Sequence, residues 1–143
     1  MNGNAEAHQV RVQQLFINEN DWLVMAPYEY SGETISETGY TKNEMVGNYE
    51  FVVHTPSTYY QTSFGKQLGI AKTLNINLKS DGSVVGDVSG KWNYNEGTPY
   101  MSITIDDVKY DGVFLRQANE TEHKLVMTFT ALGDNVAVMG SKQ

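Results

Sequence analysis

A chain of 143 residues, 40% hydrophobic and 19% charged, has room for one domain with a proper core but not for a catalytic domain with a second lobe. Ten Lys and Arg against 17 Asp and Glu leave a net charge of −7, which repels phosphate backbones and anionic lipid, so nucleic acid and membrane surfaces are set aside as partners. The absence of cysteine excludes disulfide scaffolds, thiolate metal sites and cysteine nucleophiles, and no apolar run approaches the roughly 18 residues of a membrane span.

Residues 1–8 are small and polar and read as a linker ahead of a single domain over 9–143; no basic patch with an apolar stretch marks a signal peptide. From there the apolar period is two. Val10–Ile17 and Trp22–Tyr28 are strand candidates separated by Asn18-Glu19-Asn20-Asp21. Glu29–Val46 is a long polar segment, and Gly47–His54 is the next strand. Thr55–Gly69 is a second long segment, of the length that usually carries function or caps an open end. Thr73–Lys79 and Ser83–Ser89 flank Ser80-Asp81-Gly82, whose Asp-Gly step supplies the positive φ of a tight hairpin. Lys91–Tyr94 and Tyr100–Ile105 flank Asn95–Pro99. Asp106-Asp107 turns into Val108–Gln117, Ala118–His123 into Lys124–Leu132, and Gly133-Asp134 into Asn135–Met139.

Short connections and half-buried alternation give an all-β antiparallel meander with no convincing helix. Closure into one antiparallel barrel, lipocalin-like or similar with roughly 8–10 strands, removes the exposed edges; a sandwich is the alternative.

The machinery of catalysis is missing from the sequence. There is no Gly-x-Ser-x-Gly elbow and no phosphate loop, and His8, His54 and His123 lack the spacing that puts two imidazoles on one face. Asp106-Asp107 reads as a solvated turn rather than a hard-cation site. Glu19, Asp21, Asp81, Glu96, Glu120, Glu122 and Asp134 also fall in expected turns, so nothing marks the paired carboxylates of glycoside hydrolysis. No catalytic residue, metal ligand or cofactor is assigned.

Aromatic residues are the remaining resource. Trp22, Tyr28, Tyr30, Trp92, Tyr94 and Tyr100 are candidates for a carbohydrate platform, because flat amphipathic rings stack on the C–H faces of sugars; core or interface packing is the competing use. Trp92, Tyr94 and Tyr100 straddle one hairpin, so the first two share a face and are placed to pair across to the third.

The order of residues adds a resemblance. Gln14-Leu15-Phe16-Ile17-Asn18, then Trp22-Leu23-Val24-Met25-Ala26-Pro27 and Tyr30-Ser31-Gly32-Glu33 resemble the region that follows the five-bladed propeller in extracellular endo-α-1,5-L-arabinanases of glycoside hydrolase family 43. Gly90-Lys91-Trp92, Tyr110–Gln117, Met127–Leu132 and Gly140-Ser141-Lys142 follow in the same order, so the likeness covers roughly Val12 to the end. Departures are Asp21 in place of a turn glycine, Glu29 in place of a basic residue, and Ala118 and Met139 in place of tryptophans.

The resemblance implies a C-terminal β-barrel module of a secreted bacterial enzyme, extracellular or at the cell surface. Its catalytic carboxylates belong to the propeller, so none carries over to this chain. The implied partner is that propeller, in the same polypeptide. Three readings follow: an accessory domain that packs on and stabilises the propeller; a carbohydrate-binding module for arabinan or related pectic side chains; and a small-molecule carrier. The first predicts an exposed apolar patch. The last needs a large sealed cavity, against which the Leu, Ile, Met and Phe complement suggests a filled interior.

Overall fold

The computed structural model describes residues 10–32, 34–54, 59–62, 65–68 and 73–143; the linker-like residues 1–8 lie outside them. In chain order the elements are β1 (Leu15–Ile17), β2 (Leu23–Met25), α1 (Lys42–Met45), β3 (Gly47–His54), β4 (Tyr59–Thr62), β5 (Gly65–Leu68), β6 (Thr73–Leu78), β7 (Ser83–Gly86), β8 (Gly90–Tyr94), β9 (Tyr100–Ile105), β10 (Val108–Ala118), β11 (Leu125–Gly133) and β12 (Val136–Lys142). β3 and β6 to β12 form a closed barrel in which every neighbouring pair is antiparallel. The strands follow chain order around the wall, and β12 returns to β3 with Val138 opposite Val53 and Gly140 opposite Phe51. Closure removes the sheet edges that a sandwich would leave.

The period of two decides what fills the barrel. Tyr49 and Phe51 on β3, Ile76 and Leu78 on β6, Trp92 on β8, Ile103 on β9, Phe114 on β10 and Phe129 on β11 all point inward and are buried. Phe129 sits at the centre, its ring 5.5 Å from Tyr49, 6.1 Å from Phe51 and 5.8 Å from Phe114. The Tyr49 hydroxyl donates to the Met45 carbonyl at 2.6 Å, and burial pushes its pKa far above the ordinary tyrosine range. An interior occupied by these side chains is a core rather than a ligand chamber, as expected for a small barrel.

Two connections are two-residue turns with both residues at positive φ: Asp106 and Asp107 (51° and 64°) join β9 to β10, and Asp134 and Asn135 (49° and 60°) join β11 to β12. Asp and Asn tolerate this left-handed geometry, whose twist matches that of the flanking strands. The solvated-turn reading of Asp106-Asp107 agrees with this.

Four expectations are corrected. Val10–Ile17 and Trp22–Tyr28 are not barrel strands. Their regular pairing is confined to β1 and β2, a separate two-stranded sheet with Phe16 opposite Val24. Eight strands already close the wall, so this hairpin lies on the outside of β10 and β11 and buries Phe16, Val24 and Ala26 with Val113, Leu115, Leu132 and Tyr100. Second, the long polar segment contains one helical turn, α1, capped by Thr41 and Glu44 in a reciprocal capping box. Third, the segment read as the loop Thr55–Gly69 contains the paired strands β4 and β5; its remaining residues lie outside the described ones. Fourth, Tyr94 is opposite Met101, not Tyr100. A register shifted by one residue moves a side chain to the other face, so Tyr94 packs with the interior while Tyr100 joins Phe16 outside.

Candidate functional site

The hairpin β1–β2 uses its two faces differently. Phe16 and Val24 turn toward the barrel, which leaves Leu15, Ile17, Leu23 and Met25 on the outward face, 58%, 57%, 59% and 41% exposed. Leu15 pairs with Met25 and Ile17 with Leu23, so the four make one contiguous apolar row. Sequence reasoning took these residues for barrel alternation. The signal that distinguishes them is that both triplets, Leu15-Phe16-Ile17 and Leu23-Val24-Met25, are apolar on both faces, as a strand is when it is covered twice.

The turn between β1 and β2 is fixed to the barrel by Asn18, which is buried. Its side-chain oxygen accepts from the backbone N–H of Asn20 (2.9 Å) and of Trp22 (3.0 Å), and its amide donates to the Asp111 carbonyl (3.0 Å). Asn20 donates to the Asp111 carboxylate at 2.7 Å, and Lys109 lies 3.4 Å from the same carboxylate. Beside this turn is an open cleft of about 330 Å³ lined by Asn20, Trp22, Lys109, Asp111, Asp134 and Asn135, among others. Close by, Tyr110 has its pKa raised, by burial first and then by the charges of Asp106 and Asp134.

The six aromatic candidates do not form one platform. Trp22, 62% exposed, edges the cleft just described. The Tyr28 hydroxyl donates to the Ser141 hydroxyl at 2.8 Å beside a small groove that includes Glu50, His54 and Met139. Tyr30 is exposed. Trp92 is 5% exposed: its indole N–H donates to the Lys79 carbonyl (2.8 Å), and its ring stacks on Tyr94 at 5.8 Å and meets Phe114 edge-on. Tyr100 lines an apolar cleft with Phe16, Ile17, Ile35 and Pro99. Among the described residues, no group of three or more His, Asp and Glu side chains is placed to hold a metal ion, and no helix is long and apolar enough to cross a membrane.

Known proteins share this arrangement. Residues 27–140 match the family described as the C-terminal lipocalin-like domain of glycoside hydrolase family 43. The chain is 38% identical, over 143 residues and 98% of its length, to the extracellular endo-α-(1→5)-L-arabinanase 2 of Bacillus subtilis (strain 168). It is 40% identical, over 145 aligned positions and 96% of its length, to the extracellular endo-α-(1→5)-L-arabinanase of Thermotoga petrophila. It spans only 28% of the length of either relative. Among solved structures, a family 43 glycoside hydrolase from Bacillus licheniformis superposes with a TM-score of 0.81 at 37% identity, covering 98% of this chain and 30% of that one. The endo-1,5-α-L-arabinanase of Thermotoga petrophila RKU-1 superposes with a TM-score of 0.78 at 38% identity, covering 93% of this chain and 28% of that one.

Proposed function

Because the chain belongs to the C-terminal lipocalin-like domain family of glycoside hydrolase family 43, we propose that it is a non-catalytic accessory domain of an extracellular bacterial arabinan-degrading hydrolase, packing on and stabilising a catalytic β-propeller of the same polypeptide. One observation carries this reading. The apolar row Leu15, Ile17, Leu23 and Met25 is exposed on a hairpin that is itself anchored to the barrel. A contiguous apolar patch at the surface marks an interaction site, and leucine, isoleucine and methionine at the centre of a contact of about 800 Å² per partner are what a stable interface buries. The relatives, which are named extracellular arabinanases, match this chain over only 28% of their own length.

The test combines this chain with the separately produced propeller segment of its parent polypeptide. The wild-type chain is expected to raise the melting temperature of the propeller, whereas Ile17→Asp with Leu23→Asp, on a barrel whose own melting is unchanged, is not. An equal effect of the wild-type and doubly substituted chains, or none from either, rejects the docking face. A second reading, a carbohydrate-binding module for arabinan or related pectic side chains, is favoured by one feature, the exposed Trp22 beside a polar cleft.

A further inference from the structure

Trp22 is an exposed aromatic residue whose backbone is held in place. Asn18, 3% exposed, spends both acceptor positions of its side-chain oxygen on the N–H groups of Asn20 and Trp22, and its amide on the carbonyl of Asp111 in β10. Asp21 completes the turn at φ 63°. The backbone of Trp22 is therefore fixed to the barrel by a buried polar tether, while its side chain lines the cleft beside the turn. A large apolar ring kept 62% exposed is costly in water unless something covers it.

The rest of the cleft shows what kind of molecule would cover it. The β11–β12 turn lines the same cleft as Trp22, and at this turn Asp134 and Asn135, both at positive φ, bring two polar residues to it. Among the described residues neither side chain is engaged in a hydrogen bond. Asn20 offers a further amide oxygen, since its amide nitrogen is taken by Asp111. Lys109 supplies one positive charge against the carboxylates of Asp111 and Asp134, so the cleft carries a net negative charge and opposes anionic ligands. An exposed aromatic ring sharing a cleft with free carboxylate and amide groups fits a neutral polyhydroxylated ring, whose C–H face can cover the indole while its hydroxyls meet the polar groups.

Resting on the second reading above, we propose that this cleft is a binding site for a neutral oligosaccharide, with Trp22 as the stacking surface and Asp134, Asn135 and Asn20 as the hydroxyl partners. Trp92, named with Trp22 as a candidate in the sequence, has no part in it, because its indole is enclosed in the barrel. The site lies at the turn end of the same hairpin that carries the docking row, so a bound chain would be held beside the partner rather than against the far side of the barrel.

The experiment is a titration of the chain with a linear α-1,5-linked arabino-oligosaccharide and, separately, with an oligogalacturonide, following tryptophan fluorescence and amide chemical shifts. The neutral sugar is expected to bind saturably, with a Kd of about 1 mM, shifting the amides of residues 18–22 and 133–136, while the acidic sugar does not bind. Trp22→Ala is expected to weaken binding about tenfold or more without changing the melting temperature, and Asn135→Ala to weaken it by a smaller factor. Saturable binding that survives Trp22→Ala overturns this site while leaving the carbohydrate-binding reading intact. No binding of the neutral sugar at any attainable concentration overturns both. Equal or tighter binding of the oligogalacturonide overturns the assignment of ligand class.

Discussion

Gln117 and Tyr28, 89 residues apart in sequence, are joined in both directions: the Gln117 side-chain oxygen accepts from the Tyr28 N–H at 3.0 Å, and its amide donates to the Tyr28 carbonyl at 3.0 Å. Gln117 is fully buried on the outer side of β10, so it behaves as a surrogate strand partner for a segment that no barrel strand pairs with. Gln117→Leu leaves both backbone groups of Tyr28 without partners. A fully buried unsatisfied group costs about 1–3 kcal/mol, and the two Tyr28 groups are part-buried, so the variant should lose about 2–4 kcal/mol in urea denaturation, below the ceiling of about 6 for the pair, and show faster amide exchange at Tyr28. A loss below about 0.5 kcal/mol would mean that this clamp does not anchor the N-terminal segment.

Gly140 lies directly opposite Phe129 on the neighbouring strand, and a Cβ there would come within 2.2 Å of the Phe129 ring. The glycine gives the ring its place at the centre of the core. Gly140→Ala must displace Phe129 from Tyr49, Phe51 and Phe114, and overpacking of this kind costs about 1–3 kcal/mol. Phe129→Leu in the same background should recover part of that loss, because the smaller side chain vacates the space the new methyl needs. A double-mutant cycle with no coupling between the two positions would refute the steric account.

The barrel strands were legible because alternation is a local property: Tyr100–Ile105 is the same in sequence and structure, and Val108–Gln117 differs from β10 by one residue. Alternation does not say which sheet a strand joins. Leu15-Phe16-Ile17 and Leu23-Val24-Met25, apolar at every position, signal strands covered on both faces, but whether such strands sit in the wall or on it is decided only by the closure of eight other strands. The helix α1 had its signature, Thr41-x-x-Glu44, but a single turn has no 3.6-residue period to read. The candidate site was legible as residue types and not as places. Trp22 and Trp92 look equivalent in a sequence, and what separates them is the inward parity of β8 and the tether through Asn18.

Acidification should act through Glu44. Its carboxylate accepts from the backbone N–H of Thr41 (2.7 Å) and the Thr41 hydroxyl (3.0 Å), and it pairs with Arg116. These contacts, the Thr41 backbone bond foremost, hold its pKa below the ordinary glutamate value. A carboxyl whose pKa is lower folded than unfolded contributes stability that is present in full above the unfolded value and is lost as pH falls through the folded one. Glu44→Gln retains a cap acceptor but no charge. The urea midpoint of the wild type should therefore fall more steeply than that of Glu44→Gln on descending through the acidic range, and the gap between them should narrow toward the lowest pH. Parallel curves would show that the carboxylate contacts contribute nothing to folding.

Leu23 and Val24 are adjacent in sequence, 59% and 4% exposed, and they separate the two tasks of the hairpin. Val24 packs against Val113 and Leu115 on the barrel, so Val24→Ala removes buried methyl groups from a closed contact and should destabilise the chain by about 1–2 kcal/mol. Leu23 touches water in the chain alone, and Leu23→Ser should stay within about 0.5 kcal/mol of the wild type. The order reverses when association is measured. Leu23→Ser should weaken binding to the propeller segment, whereas Val24→Ala should change it only as far as it loosens the hairpin. Sedimentation velocity of the two variants mixed with the propeller segment, beside their melting curves, reads both effects. If Leu23→Ser melted well below Val24→Ala, the outward row would belong to the fold of this domain and not to an interface.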